Sequence, residues 1–294
     1  MKILITGAKG QLATEFIKEL NKRDIEFIAL SREELDITNF DKVYGVIKQI
    51  HPSIVINCSA YNNVDDAEND FTRAYMVNAL GVYNLAIACK EINAKLIHYS
   101  TDYVFDGTKQ GLYTEEDQPN PLNEYAKSKL LGEELIKQTI ENNFLIFRVS
   151  WVYGEGTQNF IYKILQWAKE REVLQIAFNE VSVPTHTGFI VEKTLKAIER
   201  DLEGLYHLVP RGYTSRYEWA KLALKLLGIK RLLIPVQKKI FNLPAERPDF
   251  SAMSCIKIEK ALGEEFKEWD KVFEDFMEDD FEIAVMTYKV GEKL

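Results

Sequence analysis

The sequence predicts an α/β protein with a doubly wound parallel sheet, followed by a smaller C-terminal domain. In the first half of the chain, short β-branched apolar runs alternate with longer segments of helical period, which is the pattern of βαβ units. These apolar runs contain few charged residues, as expected of strands that helices cover on both faces. We expect the first domain to span residues 1–150 and the second to span residues 151–294.

Each predicted element rests on one such run. The expected strands cover residues 2–6, 25–30, 54–57, 95–100 and 144–149, and the expected helices between them cover 12–22, 40–50, 67–90 and 124–141. After residue 151 the rhythm loosens and prolines are frequent, with helices expected at 159–170, 189–200, 216–227 and 256–262. We expect this second domain to pack on the strand ends of the first and to return one or two strands to the main sheet. The last thirty or so residues are acidic and aromatic, which indicates a surface helix followed by a tail.

Composition argues against several classes of partner. The 294 residues include 37 Lys and Arg against 45 Asp and Glu, for a formal net charge of -8, and no basic run stands out. We expect no nucleic-acid partner, because binding to a phosphate backbone needs a basic stripe. The 3 cysteines have no CxxC spacing, so neither disulfides nor zinc are expected, and a reducing cytoplasm fits best. The apolar run at the N-terminus is too short for a membrane span, and the isolated histidines predict no metal site.

A glycine-containing turn, TGAKGQLA at residues 6–13, follows the first strand and opens the first helix. Gly7 and Gly10 allow a sharp turn and a close approach of the backbone to a ligand, and Ala13 is small enough for helix-to-strand packing. The helix N-terminus then offers free N–H groups to a pyrophosphate. The turn therefore predicts a dinucleotide site, and with it a sheet of the Rossmann type.

The end of the second strand bears on the choice of dinucleotide. Sites for NAD often have an acid there, against the ribose 2′-hydroxyl. Here Ser31 and Arg32 come first, and no acid appears before Glu33. Because Arg32 can pair with a 2′-phosphate and Ser31 can hydrogen-bond, NADPH is favoured and NADH is the alternative. A solvated loop arginine is the competing interpretation.

Tyr125 and Lys129 form the most specific pattern in the chain. They are four residues apart on one predicted helix, so both side chains lie on the same face. An ammonium near the phenol would lower the pKa of the tyrosine from about 10 toward the range of an acid/base catalyst. Thr101 follows a strand and can add a hydroxyl hydrogen bond to the same reacting oxygen. A glycine turn, a strand-end hydroxyl and this pair, in that order, predict acid/base catalysis beside a dinucleotide.

With these residues the chain resembles the extended short-chain dehydrogenase/reductase superfamily and, within it, the dTDP-4-dehydrorhamnose reductase family. The matching motifs are TGAKGQLA (6–13), REELDITN (32–39), INCSAYNNVDDAE (56–68), VNALGVYNLA (77–86), HYSTDYVFDG (98–107), NEYAKSKLLGE (123–133) and FRVSWVYG (147–154). Weaker matches are VPTHTGFI (183–190) and ERPDFSAM (246–253). The resemblance covers nearly the whole chain. The pattern departs from the family at Cys58, Ser59, Asn62 and Asn63, and in the segment 179–184 before the Pro-Thr pair.

The resemblance implies an NADPH-dependent reduction of the C4 ketone of dTDP-4-dehydro-L-rhamnose. It makes Tyr125 the proton donor, Lys129 the ligand of the nicotinamide ribose and Thr101 the hydroxyl that polarises the ketone. The other cofactor contacts that it implies are Gly10, Gln11 and Leu12 on the pyrophosphate, Asp36 and Ile37 beside the adenine, Ser59, Ala60 and Tyr61 along the ribose, and Tyr99 nearby. Asp102 and Trp151 would contact the nucleotide-sugar substrate, and a homodimer is a possible assembly.

Two other functions stay open at this point. The first is a nucleotide-sugar epimerase or dehydratase with bound NAD⁺. A dehydratase needs a pair of acid/base carboxylates after Thr101, whereas Asp102 and Tyr103 supply one acid. The second is a non-catalytic regulatory subunit that keeps the fold and the dinucleotide, against which the intact set of Thr101, Tyr125 and Lys129 counts.

Overall fold

The main sheet has six strands that all run parallel. A computed structural model describes residues 2–279 of the chain. Its strands are β1 (Ile3–Thr6), β2 (Phe27–Leu30), β3 (Ile54–Asn57), β4 (Lys95–Thr101), β5 (Phe144–Val149), β6 (Val152–Tyr153), β7 (Val173–Ala177), β8 (Val181–Ser182), β9 (Thr185–His186), β10 (Gly204–His207), β11 (Thr214–Ser215) and β12 (Leu232–Val236). Its α-helices are α1 (Gln11–Lys22), α2 (Phe40–Ile50), α3 (Asp66–Asn69), α4 (Phe71–Tyr75), α5 (Gly81–Glu91), α6 (Glu124–Thr139), α7 (Phe160–Glu170), α8 (Thr187–Glu199), α9 (Arg216–Leu226), α10 (Ile256–Leu262) and α11 (Trp269–Asp279).

The strand order β10-β5-β4-β3-β1-β2 reverses the direction of chain progress between β1 and β3. In a parallel sheet, the carboxyl ends of the strands at such a reversal form a crevice in which ligands bind. Thr6 and Asn57 are register partners at the ends of β1 and β3, so both lie at this crevice. The predicted doubly wound, Rossmann-type parallel sheet is confirmed.

Two hydrophobic cores cover the two faces of the sheet. Alternation along β1 sends Ile3 and Ile5 into one core and Leu4 into the other. The first core includes Phe16 of α1 and buried residues of α8 and α10, and the second includes buried residues of α2, α5 and α6. Helices from both halves of the chain therefore bury the sheet.

The expected single helix over residues 67–90 is wrong. The chain forms α3 and α4, then a five-residue π-helical segment, Met76–Leu80, and then α5. Asp70 leaves the helical region with φ -124 and ψ 57, and its side chain accepts a hydrogen bond from the Arg73 amide at 3.2 Å. An aspartate in this role caps the next helix, so it separates α3 from α4.

The second half of the chain adds one strand to the main sheet and contains further strands that form two-stranded sheets. Strand β10 pairs with β5 at the edge, and the remaining strands form the two-stranded pairs β6–β9, β7–β12 and β8–β11. Helix α11 was expected on the surface, but it buries Phe273, Phe276 and Met277 in a cluster with Trp219. The expected tail and the end of the predicted second domain, residues 280–294, lie outside the described residues. Within residues 2–279, the helices are all too short or too polar to cross a membrane.

Candidate active site

The glycine turn after β1 leaves room for a ligand and none for a side chain. Gly7 has φ +70, and a Cβ there would lie 2.9 Å from the Ser59 amide nitrogen. A Cβ on Gly10 would lie 3.2 Å from the Gly7 carbonyl oxygen. Gly10 offers α1 no side-chain cap, and the first turn of this helix contains no acidic residue. The first N–H groups of α1, from Gln11 onward, thus stay available to an anion.

A buried polar network joins the ends of β1, β3 and β4 beside this turn. Asn57 Oδ1 accepts hydrogen bonds from Thr6 Oγ1 at 2.7 Å and from the Ser59 amide at 3.0 Å. Asn57 Nδ2 lies 3.1 Å from His98 Nδ1. Burial and the neighbouring Lys129 hold the pKa of His98 well below its usual value, so this imidazole is neutral. Sequence reasoning missed Asn57, although a polar residue that ends an apolar strand was a signal for it.

Asn78, in the π-helical segment, connects the loop after β3 with α6. Its Oδ1 accepts a hydrogen bond from the Tyr61 amide at 2.8 Å, and its Nδ2 donates to the Tyr61 carbonyl and to Ser128 Oγ, both at 3.0 Å. The backbone of α6 approaches so closely that a Cβ on Gly132 would collide with the Asn78 carbonyl oxygen. Single-turn π-helical segments often occur at functional sites. Asn78 was also missed, and its signal is a polar residue on the buried face of a helical pattern.

Thr101, Tyr125 and Lys129 come together at the carboxyl edge of the sheet. Asn123 caps α6 by accepting a hydrogen bond from the Ala126 amide at 2.9 Å, which places Tyr125 in the first helical turn. The Lys129 ammonium is 3% exposed and donates to the Tyr99 carbonyl at 2.5 Å. Thr101 Oγ1 accepts a hydrogen bond from the Tyr103 amide at 3.2 Å, and the Thr101 hydroxyl is close enough to Tyr125 to lower the pKa of that phenol.

The expected lowering of the pKa of Tyr125 by Lys129 is wrong for the protein without ligand. Burial raises the pKa of Tyr125 to about 12, and the Thr101 hydrogen bond opposes this only partly. The same burial lowers the pKa of Lys129 to about 8, although Glu133 acts in the opposite direction. Burial disfavours the charged form of each group, so it moves an acid and a base in opposite directions. Tyr125 therefore holds its proton at neutral pH.

Asp102 is predicted to contact the substrate, but its side chain is turned into the protein. Its side chain is 2% exposed, and its Oδ2 accepts hydrogen bonds from Ser182 Oγ at 2.7 Å and from Ser251 Oγ at 2.5 Å. Its Oδ1 accepts a hydrogen bond from Thr101 Oγ1 at 3.3 Å. Burial raises the pKa of Asp102 to about 6, against the effect of these hydroxyls. The carboxyl group faces the protein because serines from β8 and from the segment before α10 satisfy it.

Two of the predicted cofactor contacts also turn into the protein. The Tyr99 ring is buried and its hydroxyl pairs with Thr194 Oγ1 at 2.9 Å, so Tyr99 brings only its carbonyl to the site. The Ile37 side chain is 3% exposed and packs against Gly81. A Cβ on this glycine would lie only 2.7 Å from the Ile37 side chain. The Ile37 carbonyl accepts a hydrogen bond from Asn84 Nδ2 at 2.9 Å. Neither side chain is presented to a ligand.

The end of β2 carries both cations and carboxylates. The Arg32 side chain is 64% exposed, and its Nε lies 3.5 Å from Asp36 Oδ2. Lys9, from the glycine turn, lies 3.1 Å from Glu33. The Ser31 amide donates to Glu34 Oε2 at 2.8 Å. Arg32 is thus exposed to solvent and close to Asp36 of its own loop. This position fits both a contact to the 2′-phosphate and a solvated loop arginine.

Trp151 and the cavity wall lie on the side of the second half of the chain. Trp151 has φ 40, a conformation that costs a bulky residue about 1–3 kcal/mol and persists only where neighbours enforce it. Its ring is 8% exposed and borders a cavity of about 960 Å³ that is also lined by Asp65, Glu180, Arg216 and Arg247. Asp65 and Arg247 form an ion pair at 2.8 Å across 182 residues of sequence. This pair was missed, although both residues stand in the motifs quoted above.

Within residues 2–279, no group of three or more His, Cys, Asp or Glu side chains is arranged to hold a metal ion.

Comparison with known proteins identifies the family. A family model described as the RmlD substrate binding domain matches residues 1–281. The chain belongs to the RmlD family. A dTDP-4-dehydrorhamnose reductase of Aggregatibacter actinomycetemcomitans is 36% identical, over 93% of this chain and 97% of that protein. The spore coat polysaccharide biosynthesis protein SpsK of Bacillus subtilis is 33% identical, over 95% and 97%.

Solved structures agree with this membership. A dTDP-4-dehydrorhamnose reductase from Clostridium acetobutylicum has a TM-score of 0.92 and 35% identity, covering 95% of this chain and 99% of that one. The same enzyme from Bacillus anthracis, in complex with NADP, has a TM-score of 0.90 and 34% identity, covering 94% and 98%. A UDP-glucose 4-epimerase from Thermus thermophilus, at 20% identity and a TM-score of 0.78, shares the fold. The RmlD family therefore accounts for nearly the whole chain.

Proposed function

We propose that this RmlD family member is an NADPH-dependent dTDP-4-dehydrorhamnose reductase, which reduces the C4 ketone of dTDP-4-dehydro-L-rhamnose. The observation that carries the proposal is the convergence of Thr101, Tyr125 and Lys129 at the carboxyl edge of the sheet, beside the glycine turn. The substrate in this proposal is inferred from the names of the related reductases. This set of groups suits proton transfer to a carbonyl oxygen next to a bound dinucleotide.

The residues at the glycine turn fit NADPH. At Gly7 and Gly10 a Cβ would contact the backbone of the turn or of the loop after β3, and the Gln11 side-chain nitrogen is buried without a hydrogen-bond partner among the described residues. The N-terminus of α1 would hold the pyrophosphate, with Gln11 and Leu12 in its first turn. Arg32 would pair with the 2′-phosphate. When bound, NADPH supplies the hydride for C4 of the sugar.

The protein residues act on the ketone oxygen. Tyr125, protonated at neutral pH because its pKa is about 12, donates its proton to that oxygen. The Thr101 hydroxyl donates a hydrogen bond to the same oxygen as negative charge develops there. Lys129, whose pKa of about 8 keeps it charged at neutral pH, would hold the nicotinamide ribose when the cofactor is bound.

The cavity beside Trp151 suits the nucleotide sugar. The cationic side chains that line it are Lys163, Arg171, Arg216, Lys238, Lys239 and Arg247, against the acidic Asp65, Glu180 and Glu246. This positive wall stands out in a chain with a net charge of -8. Aromatic rings, among them Phe160 and Trp167, complete the wall. A diphosphate with an aromatic base and a sugar ring matches both features.

Reduction is favoured over dehydration. A dehydratase needs two carboxyl groups next to the ketone, but Asp102 is bound by Ser182 and Ser251. A second candidate substrate is dTDP-4-keto-6-deoxy-D-glucose, named for a reductase of Streptomyces niveus that is 31% identical over 76% of this chain and 78% of that protein. Both sugars present a C4 ketone on a dTDP-linked 6-deoxy ring, so the same three residues would serve either.

The experiment is NADPH oxidation, followed by the loss of reduced-nicotinamide absorbance, with dTDP-4-dehydro-L-rhamnose, dTDP-4-keto-6-deoxy-D-glucose and the GDP- and UDP-linked counterparts. We expect turnover with dTDP-4-dehydro-L-rhamnose. Tyr125→Phe should lower this turnover about 10²-fold or more while leaving NADPH affinity nearly unchanged, because only the proton donor is lost. Tyr44→Phe is the matched control, because the Tyr44 ring contacts Phe40 and Lys48 of its own helix, α2. Oxidation with none of the sugars would favour a regulatory subunit, whereas normal turnover by Tyr125→Phe would show that Tyr125 is not the proton donor.

The cytoplasm and a homodimer belong to the same proposal. Cys58, Cys89 and Cys255 are all free thiols, which suits a reducing compartment. Light scattering on the purified protein measures its mass in solution, and a value of one chain would contradict the dimer.

A further inference from the structure

The Trp151 ring is held by the side chains of one helix. The guanidinium of Arg216, the first residue of α9, lies 3.7 Å from the centroid of the Trp151 ring. The Trp219 ring, one turn further along α9, is nearly parallel to Trp151, with an interplanar angle of 6° and centroids 5.8 Å apart. These contacts enforce the left-handed backbone of Trp151, which its bulk would otherwise disfavour.

Glu180 fixes Arg216 from the other side. Glu180 Oε1 accepts a hydrogen bond from Arg216 Nε at 3.3 Å, and the Glu180 carbonyl accepts one from the Arg216 amide at 3.1 Å. Both side chains are largely buried, at 12% and 18% exposure. Glu180 Oε1 also accepts a hydrogen bond from the Tyr103 hydroxyl at 3.3 Å. Glu180 therefore orients two side chains at once.

The second of these side chains leads back to the catalytic tyrosine. The Tyr103 ring meets the Tyr125 ring edge-on, with centroids 6.5 Å apart and an interplanar angle of 87°. A continuous set of contacts thus runs from Trp151 through Arg216, Glu180 and Tyr103 to Tyr125. Trp151 and Glu180 both border the cavity.

We infer that Glu180 and Arg216 are positioning residues that set the sugar specificity of the reductase, an inference that rests on the proposed function. They act through Trp151, which borders the cavity proposed for the sugar, and through Tyr103, which packs against Tyr125. Glu180 lies in the segment 179–184, where the sequence departs from the family pattern. The residues that position this part of the cavity wall therefore differ from those of the family. Arg216 works here as a flat group stacked on an aromatic ring, a role that lysine does not reproduce.

A purely electrostatic role for Arg216 makes a different prediction. If Arg216 only attracted the diphosphate, Arg216→Lys would keep its function and Arg216→Gln would weaken dTDP and dTDP-sugars alike. If Arg216 positions Trp151, both variants weaken only ligands that carry a sugar, because the nucleotide does not depend on this part of the cavity wall. The comparison of dTDP with dTDP-glucose therefore separates the two roles.

The test combines binding and kinetics on Arg216→Lys, Arg216→Gln and Glu180→Gln. By calorimetry we expect dTDP-glucose affinity to fall about 10-fold in Arg216→Lys, with dTDP affinity within about twofold of wild type. In NADPH oxidation with dTDP-4-dehydro-L-rhamnose, kcat/KM should fall by about 10-fold or more while the KM for NADPH stays unchanged. Glu180→Gln keeps the shape of the residue and should show the same pattern to a smaller extent.

Lys221→Gln is the control, since it removes a cation from the exposed Glu218–Lys221 pair of the same helix. It should match wild type in every measurement. Wild-type behaviour of Arg216→Lys toward dTDP-glucose, or equal losses for dTDP and dTDP-glucose, would overturn the inference. A wild type that binds dTDP-glucose but reduces none of the sugars would instead overturn the proposed function, and the binding measurements would still decide the role of Arg216.

Discussion

Arg32 is the residue that we propose determines the choice of cofactor. Its side chain extends from the end of β2 into solvent, with Asp36 as a weak partner at 3.5 Å. An exposed pair of this kind contributes little to stability, so a ligand phosphate can replace the carboxylate at low cost. Arg32 is consequently free to form a charge-assisted, two-pronged contact with a 2′-phosphate.

Arg32→Ala should weaken NADPH much more than NADH. Charge-assisted hydrogen bonds contribute roughly 1.5–3 kcal/mol, or about 10- to 150-fold in affinity, and NADH has no 2′-phosphate to lose them. Fluorescence titration of both reduced cofactors into wild type and variant measures this difference. Arg23→Ala, at the far end of α1, serves as the control. Equal losses for the two cofactors would show that Arg32 has no role in the choice.

Asp102 should make stability depend on pH in the direction opposite to most carboxylates. Its pKa is about 6 in the folded protein and 3.8 for an aspartate in an unfolded chain, so the folded state binds the proton more tightly. Stability from this group is therefore present at low pH and is lost as the pH rises from about 4 to 6, by about 3 kcal/mol in total.

Asp102→Asn tests this directly, because asparagine does not titrate. Urea unfolding at about pH 4 and about pH 7.5 should show the wild type losing stability relative to the variant as the pH rises. Asp106→Asn is an informative comparison, since hydrogen bonds lower the pKa of Asp106 to about 2 and its contribution is lost as the pH falls. A constant difference between wild type and Asp102→Asn at both pH values would contradict the prediction.

At the scale of elements, one ion pair fastens the catalytic helix to the sheet. Glu133 of α6 and Arg148 of β5 form two parallel hydrogen bonds, at 2.9 and 2.8 Å, and both side chains are buried. Glu133 lies one turn beyond Lys129, so the pair sets the height of Tyr125 and Lys129 above the strand ends. Removing either partner leaves an uncompensated charge in a dry environment.

Glu133→Leu and Arg148→Met should each destabilise the protein by about 3–5 kcal/mol, and the double variant Glu133→Leu/Arg148→Met by much less than their sum. Urea unfolding followed by circular dichroism measures the free energies. The control is Lys137→Gln, whose partly exposed ammonium lies 3.7 Å from Glu133. Additive losses in the double variant would mean that the two side chains act independently.

At the scale of the whole molecule, charge is unevenly distributed. The chain carries a net charge of -8, yet the cavity beside Trp151 is lined by more cations than acids. A positive cleft in an acidic protein attracts an anionic ligand over a distance set by the ionic strength. The Asp65–Arg247 pair joins the two halves of the chain at the rim of this cleft.

We expect kcat/KM for the nucleotide sugar to fall roughly 10-fold as NaCl increases from about 0.02 to about 0.5 M, with little change in kcat. Lys163→Gln/Arg171→Gln should raise KM and flatten this dependence, because it removes two cations from the cavity wall. The matched control Lys221→Gln/Lys225→Gln removes two cations from α9, both away from that cavity. The same salt dependence in both double variants would show that the cavity charge does not attract the substrate.

The sequence by itself determined those features whose causes are local. The strands at 54–57 and 144–149 and the helix at 40–50 coincide with β3, β5 and α2, because periods of two and 3.6 residues are set by neighbours along the chain. The glycine turn and the spacing of Tyr125 and Lys129 could be identified for the same reason. The expected activity was then inferred from the motifs that resemble the family.

Only the tertiary structure decided what depends on distant residues. Within the helix expected over 67–90, residues 76–80 form a π-helical segment, and its Asn78 bonds to Tyr61 and to Ser128, 17 and 50 residues away. The pKa of Tyr125 rises because desolvation comes from everything packed around the hydroxyl, whereas the spacing to Lys129 described one neighbour. Likewise, no local pattern indicates that Arg216 covers Trp151, because that contact exists only once β8, α9 and the end of β5 have packed together.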